Sequence, residues 1–305
     1  MHSYLTEETI NNKTFIKQIL SSANKVGGVG EIKKLIGGSK SYAFSVNDYV
    51  VRFPKAEIIW QSMQREKQII DAIYPFLPDK YIQKIHKIEL IDSSYPFSIT
   101  AKFNGKICDN RENTSEVINI RTLSAAQLNK LTKNIAEFFV LLHSIDYTKL
   151  NIPPANETID NWNVTEKNDF DYPIIRQALL TYSNNQIDLD SYKIKNFNNT
   201  LALCHNDLSG SNLLLNLNKD DVLEGIIDLA NAMVIPKYLD FIPLYKMKRR
   251  LAVNVLEKYN AIADNKIEQT QLDYTILSYI GFGLSKTKEA PSPYFLKLLK
   301  WFLED

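Results

Sequence analysis

The stretch LCHNDLSGSNLLLN (203–216) sets His205, Asn206 and Asp207 between two apolar runs, and places a second amide, Asn212, five positions after the acid. Short apolar runs bounded by turn formers read as buried strands. Asn, Asp, Ser and Gly explain a turn between them. They do not explain why an acid, an imidazole and two amides gather on it. Further on, the strand–turn–strand segment NLLLNLNKDDVLEGIID (212–228) ends at Asp228, which closes the run Gly225-Ile226-Ile227. Two acids and an amide therefore fall at the ends of adjacent strands. Oxygen ligands of this type suit Mg2+, which is commonly held by one or two carboxylates together with substrate phosphates. A further acid left free can accept a proton from an alcohol. Taken singly, Asp207, Asn212 and Asp228 read as turn or cap residues; the three at this spacing read as a site.

The segment KKLIGGSKSYAFSVNDYVVRFPK (33–55) reads as three short strands, at 33–36, 42–46 and 49–53. Gly37-Gly38-Ser39 and Asn47-Asp48 make the turns, and Pro54 ends the third strand. The helix AEIIWQSMQREKQIIDAIY (56–74) follows, with Ile59, Met63, Ile70 and Ile73 on one stripe and Glu66 in the middle of it. A carboxylate there is costly unless a cation meets it. Arg52 on the preceding strand is the proposed partner; the competing reading puts Glu66 at the stripe's edge, in water. Strands are expected at 85–91 and 97–103, and the polar stretch 104–116 reads as the crossing between lobes. Leu128, Leu131, Ile135, Phe138, Leu142 and Ile145 define a second helix, opened by a Ser124–Gln127 capping box. Beyond 151–200, read as helical and loop-rich, come strands at 201–204, 212–217 and 222–229. From 237 onward the pattern is helical. A short polar helix is expected at 6–22. The order is thus a small β-rich lobe carrying one helix, a connector, and a mostly helical lobe with embedded strands.

A chain of 305 residues suits two lobes, or one domain with an insertion. Net charge is +1, so bulk electrostatics point to neither nucleic acid nor a membrane surface. Cys108 and Cys204 lie far apart without metal-type spacing, which reads as free thiols in a reducing compartment. The N-terminal residues are polar and mixed in charge, unlike a signal peptide. No apolar run reaches the ~18–20 residues of a membrane span. A cytoplasmic, water-soluble protein is expected.

These residues resemble the aminoglycoside phosphotransferase family, and within it the aminoglycoside 2″-phosphotransferases. LCHNDLSGSNLLLN resembles the family's catalytic loop, LEGIIDLANAM (223–233) its metal-binding segment, and YLDFIPL (238–244) the Asp-Phe pattern after it. DYVVRFPK (48–55) and QREKQII (64–70) resemble the third strand and the lobe helix, and LLHSI (141–145) also fits. The similarity runs from about 33 to 244.

The resemblance implies an α+β, bilobal, protein-kinase-like fold. Residues 1–103 would form the nucleotide-binding lobe, with a hinge at its end, and 104–305 the catalytic and substrate-binding lobe. It implies Asp207 as catalytic base, Asn212 and Asp228 as holders of Mg2+, and ATP or GTP as phosphoryl donor. Gly38, Ser39 and Ser41 of the 37–41 hairpin would cover the phosphates. Thr100, Ala101 and Phe103 would meet the purine, and Glu66 would hold the phosphate-contacting cation. Two positions depart from the family: Arg52 stands where relatives carry Lys, and Leu229 follows the metal-binding Asp as a packing substitute. Arg binds phosphate bidentately and is not a neutral exchange for Lys. Lys55 is a poorer substitute, because it lies beyond Pro54. His205 and His143 are expected to be structural, and Cys204 to be core.

The acceptor would be a small hydroxylated molecule, with an aminoglycoside first and a macrolide, amino-alcohol or sugar next. A polycation calls for acids in its cleft, and the helical lobe offers Asp240, Glu257, Asp264, Glu268 and Asp273, with Asp240 and Glu268 chosen as substrate-binding. The basic run KMKRR (246–250) counts against an acidic pocket. The alternative is a silent nucleotide-binding relative, favoured only by Arg52. A monomer, without nucleic-acid or membrane partners, is expected.

Overall fold

The computed structural model describes residues 4–12, 14, 31–35, 40–83, 85–91, 95–109, 114–152, 173–192, 200–286 and 290–304. The short helix α1 (Glu7–Asn11) is capped by Thr6, whose hydroxyl accepts from Thr9 N at 3.2 Å. The rest of the helix expected at 6–22 lies almost wholly outside the described residues, as do Gly37, Gly38 and Ser39.

The first sheet has the order β1 (Ile32–Lys34), β2 (Ser41–Val46), β3 (Tyr49–Pro54), β5 (Tyr95–Ala101), β4 (Ile85–Ile91), with every neighbouring pair antiparallel. Asn47 takes a positive φ of 51° in the two-residue turn between β2 and β3, the conformation that such hairpins demand and Asn tolerates. Phe44, Val46, Val51, Phe53, Phe97 and Ile99 form this sheet's own core, with Leu5 and Ile10 packed in from the N-terminus.

The helix α2 (Glu57–Ile73) serves both lobes. Its buried face is Trp60, Met63, Glu66, Ile69, Ile70 and Ile73. The last three belong to the large core of the second lobe, together with Phe138, Phe139, Leu203, Leu213 and Phe241.

A second sheet has the order β10 (Leu223–Ile226), β9 (Leu213–Leu215), β6 (Lys106–Asp109), β7 (Val117–Asn119), and β6 and β7 run parallel. The stretch 104–116, expected only to cross between lobes, therefore also contributes a strand. Its side chains read as polar, but its backbone completes the ladder beside β9 through Lys106↔Leu215 and Ile107↔Leu214. The strand expected to reach Phe103 stops at Ala101. A third ladder pairs β8 (Leu201–Cys204) with β11 (Met233–Pro236), a strand with no alternating signal of its own.

The helix α3 (Ala125–Ser144) opens with the capping box: Gln127 N donates to Ser124 Oγ at 3.2 Å, and Ser124 N to Gln127 Oε1 at 2.9 Å. It packs against α6 (Arg249–Ile262) and β8. The remaining helices are α4 (Pro173–Tyr182), α5 (Ile242–Met247), α7 (Gln269–Ser285) and α8 (Pro293–Glu304).

Candidate active site

The three ladders bring the ends of β8 and β10 to one place. Asn212 then links the two chemical segments. Its side-chain Nδ2 donates to the Asp207 carbonyl at 2.7 Å, and its own carbonyl accepts from Ile227 N at 3.0 Å, one residue before Asp228. With Nδ2 spent on the loop, the Asn212 Oδ1 is the atom left to act as an acceptor or ligand. Asp228 itself sits at φ 63°, a left-handed conformation that Asp tolerates better than bulkier residues.

Asp207, Asn212 and Asp228 line one cleft of about 750 Å3 with Arg52, Glu66, Lys40, Ser41, Thr100, Ala101 and Phe103. Arg52 Nη2 lies 2.5 Å from Glu66 Oε2, and its Nε donates to Ser98 Oγ at 3.4 Å. Burial disfavours the Arg52 charge, but Glu66 and then Asp228 outweigh it, and the net shift is upward. The proposed Arg–Glu pair is therefore present, with the cation facing the metal-type acid across the cleft. Lys55 takes no part: its Nζ stands 4.6 Å from the centroid of the Tyr42 ring.

Burial holds the Asp207 carboxyl above its ordinary range. The Asp228 charge adds to this, while His205, Lys40 and Lys246 pull the other way. A carboxylate so tuned keeps more affinity for a proton than a surface aspartate does. His205 is structural: fully buried, it bonds the Ile227 carbonyl through Nε2 at 3.2 Å and receives Asp207 N on Nδ1 at 3.3 Å. Leu229 is 1% exposed and fills the core below the site.

The substrate-binding role expected of Asp240 does not hold. Its carboxylate is 0% exposed and lies under the loop, accepting from His205 N at 3.0 Å, Asn206 N at 2.6 Å and His143 Nε2 at 3.0 Å. No surface remains for a ligand. Glu268 is exposed at the N-cap of α7 and is not among the residues lining the cleft. Asp273, also weighed as a cleft acid, is buried and paired with Arg249 at 3.7 Å.

Sequence reasoning missed several contributors. Arg65, beside Glu66 on α2, sends its guanidinium to the carbonyls of Ala230 and Ala232, the latter at 2.7 Å, and so clamps the segment after Asp228. Asn231 Nδ2 reaches Asp207 Oδ2 at 3.4 Å. Lys40 lines the cleft at the start of β2. The burial of Arg65 was not readable from the QREKQII stretch, and for Asn231 and Lys40 spacing carried no signal.

Two lobes, a cleft between sheet and helices, and an acid–amide–acid set facing an Arg–Glu pair define a kinase-like phosphotransferase. The chain belongs to the phosphotransferase enzyme family, whose sequence profile matches residues 31–268. Its fold is similar to that in the GDP complex of wild-type aminoglycoside 2′-phosphotransferase-IIIa (TM-score 0.66, 19% identity, covering 96% of this chain and 99% of that one). It is also similar to that in the streptomycin–ATP–APH(2″)-IIa ternary complex (0.58, 19%, 94% and 96%). A macrolide 2′-phosphotransferase type I shares the fold too (0.53, 12%, 98% of each chain).

Proposed function

We propose that the protein moves the γ-phosphoryl group of ATP or GTP to a hydroxyl of a small molecule, with an aminoglycoside antibiotic as the leading acceptor and resistance as the consequence. The observation that carries this reading is the single cleft shared by Asp207, Asn212 and Asp228 on one side and Arg52–Glu66 on the other. Similar folds occur in proteins solved with GDP, ATP, streptomycin and gentamicin. A macrolide, amino-alcohol or sugar remains the alternative acceptor, and the macrolide 2′-phosphotransferase supports keeping it.

In this reading Asp207 takes the proton from the acceptor hydroxyl as that oxygen bonds to the γ-phosphorus. The bond from phosphorus to the bridging oxygen breaks, and the nucleoside diphosphate leaves. Arg52 neutralises phosphate charge and is aligned for it by Glu66. The 37–41 segment, which includes Lys40 and Ser41, covers the phosphates, while Thr100, Ala101 and Phe103 wall the base. Asn212 Oδ1 and the Asp228 carboxylate are hard oxygen donors that fit Mg2+; bound there, the ion would neutralise charge on the phosphates. Residues 1–103 serve as the nucleotide lobe and 104–305 as the catalytic and acceptor lobe of a monomer acting in the cytoplasm. Among the described residues, no helix is long and apolar enough to cross a membrane.

The test is nucleoside diphosphate release with a panel of aminoglycosides, macrolides, amino-alcohols and sugars, with Mg2+ and each nucleotide. One acceptor class should stimulate release. Asp207→Ala should lower that rate about 10²–10⁴-fold while leaving nucleotide binding intact. Acceptor-dependent release that survives the change would remove Asp207 from the mechanism.

A further inference from the structure

We propose that His143 is a positioning residue for phosphoryl transfer, acting through the Asp240 carboxylate on the backbone that carries Asp207. This rests on the reading of Asp207 as the base. His143 lies in the last turn of α3, far from the cleft in sequence and absent from its lining.

Its side chain is 3% exposed and that of Asp240 0%. The imidazole Nε2 meets Asp240 Oδ2 at 3.0 Å, and the Tyr259 hydroxyl meets Nδ1 at 3.2 Å. The Asp240 carboxylate, which receives one loop N–H on each of its two oxygens, can only accept, so Nε2 carries the hydrogen. The ring is held on its faces as well. Phe139 stacks on it at 5.4 Å and 8°, and Tyr259 closes its edge at 5.5 Å and 65°. His143 therefore has one available orientation, and it passes that orientation to the carboxylate.

Asp240 in turn captures the backbone N–H groups of His205 and Asn206, the two residues immediately before Asp207. Asn206 sits at φ 64°, a conformation that persists where its surroundings over-determine it. The chain of contacts runs from Tyr259 through His143 and Asp240 to this turn, and the next side chain out is the base. Phosphoryl transfer depends mainly on positioning and charge, and a displacement of about 1 Å can cost ~10²-fold in rate.

The same cluster has another face. One ligand atom each from His143, Cys204 and Asp240 lie within 4.8 Å of one another. A metal is the poorer reading. Burial holds the Cys204 thiol well above its ordinary range, with the Asp240 charge adding to the effect, and both Asp240 oxygens are occupied by N–H donors. The cluster works as a hydrogen-bonded node.

The experiment compares His143→Leu, His143→Gln and Asp207→Ala with wild type. Rates are measured with the acceptor of highest turnover in the panel or, with none active, as hydrolysis of the nucleoside triphosphate by water. His143→Leu should lower kcat by up to about 10²-fold, the loss that a misplacement of about 1 Å brings. KM for donor and acceptor should stay within about threefold, because no binding contact is lost. His143→Gln, whose amide Nε2 can still donate to Asp240, should recover most of kcat. A folded His143→Leu with wild-type kcat and only a lower melting temperature would reduce His143 to packing. So would a change confined to KM, or a His143→Gln as impaired as His143→Leu. Should His143→Leu not fold, Tyr259→Phe replaces it: that variant keeps the ring, frees Nδ1, and must lower kcat for the proposal to stand. Retained turnover in Asp207→Ala would instead overturn the underlying assignment of the base, and so separates the two failures.

Discussion

At the scale of single residues, the site depends on charges placed where burial makes them expensive. Glu66 is 5% exposed at its side chain and is matched by Arg52 at 2.5 Å. Removing one member of a buried pair costs more than the pair contributes, because a desolvated charge is left behind. Glu66→Ala should therefore lower stability by about 3 kcal/mol in urea unfolding, at the low end of the range because Arg52 retains some solvent, and should weaken nucleotide binding. Unchanged stability would mean that Arg52 finds another partner.

Asp273 gives a pH-dependent case. Burial raises its pKa above the ordinary aspartate value, against the opposing effects of Gln269 and Arg249. A carboxyl whose folded pKa is raised contributes stability that is fully present below its unfolded pKa and lost as pH rises through its folded one. The stability of wild type relative to Asp273→Asn should fall as pH climbs above the ordinary aspartate range. A flat or rising difference would contradict the direction of the shift.

At the scale of elements, two backbone segments, the Gly210 turn and β6, meet with little space between them. A Cβ on Gly210 would come within 2.3 Å of the Cys108 carbonyl oxygen of β6. Backbone cannot yield there as a flexible side chain would. Gly210→Ala should push the Asn212 turn away from β6, costing about 1–3 kcal/mol and lowering turnover together with the melting temperature. A variant that melts like wild type would show that the turn can shift freely.

The helix α3 gives the contrasting case, in which side-chain volume dominates. Phe139 is fully buried between His143 and Phe241, with ring centroids at 5.4 and 5.1 Å. Phe139→Ala should cost about 3–5 kcal/mol through lost burial and the cavity left behind.

At the scale of the whole molecule, the two lobes do not have wholly separate cores. The C-terminal half of α2 lies in the large core, and Arg65 on the same helix clamps the segment after Asp228. Its neighbour Glu66 holds the cation of β3. One helix therefore ties the Arg52 side of the cleft to the segment that carries Asp228, and denaturant unfolding should proceed as one transition seen alike by fluorescence and far-UV dichroism. Two separated transitions would mean that the small sheet folds on its own core.

Both cysteines are fully buried, and burial pushes the Cys108 thiol up to about 12. Iodoacetamide at neutral pH should label neither in the native protein and both in urea, as read by mass spectrometry. Labelling of native Cys204 would reveal opening beneath the 205–212 loop.

Sequence alone determined the elements whose signal is local. The β2–β3 hairpin follows from Asn47-Asp48 between apolar alternations, and α3 from its stripe and the Ser124–Gln127 box. The acid–amide–acid set was legible because its members lie within 22 positions of one another, on turns that strands on either side define. The pairing of Arg52 with Glu66 was legible only as one of two readings, since a charge on an apolar stripe either finds a partner close by or reaches water at the stripe's edge.

Only the tertiary structure decided the rest. β6 and β11 have no periodicity strong enough to announce them and become strands because β9 and β8 offer unpaired edges. Asp240 read as a cleft acid because composition cannot tell an exposed carboxylate from one buried under a loop. Its partners, His143 and the N–H groups of His205 and Asn206, are 97, 35 and 34 residues away. Burial and long-range hydrogen bonds belong to the folded chain as a whole, and no local pattern of residues encodes them.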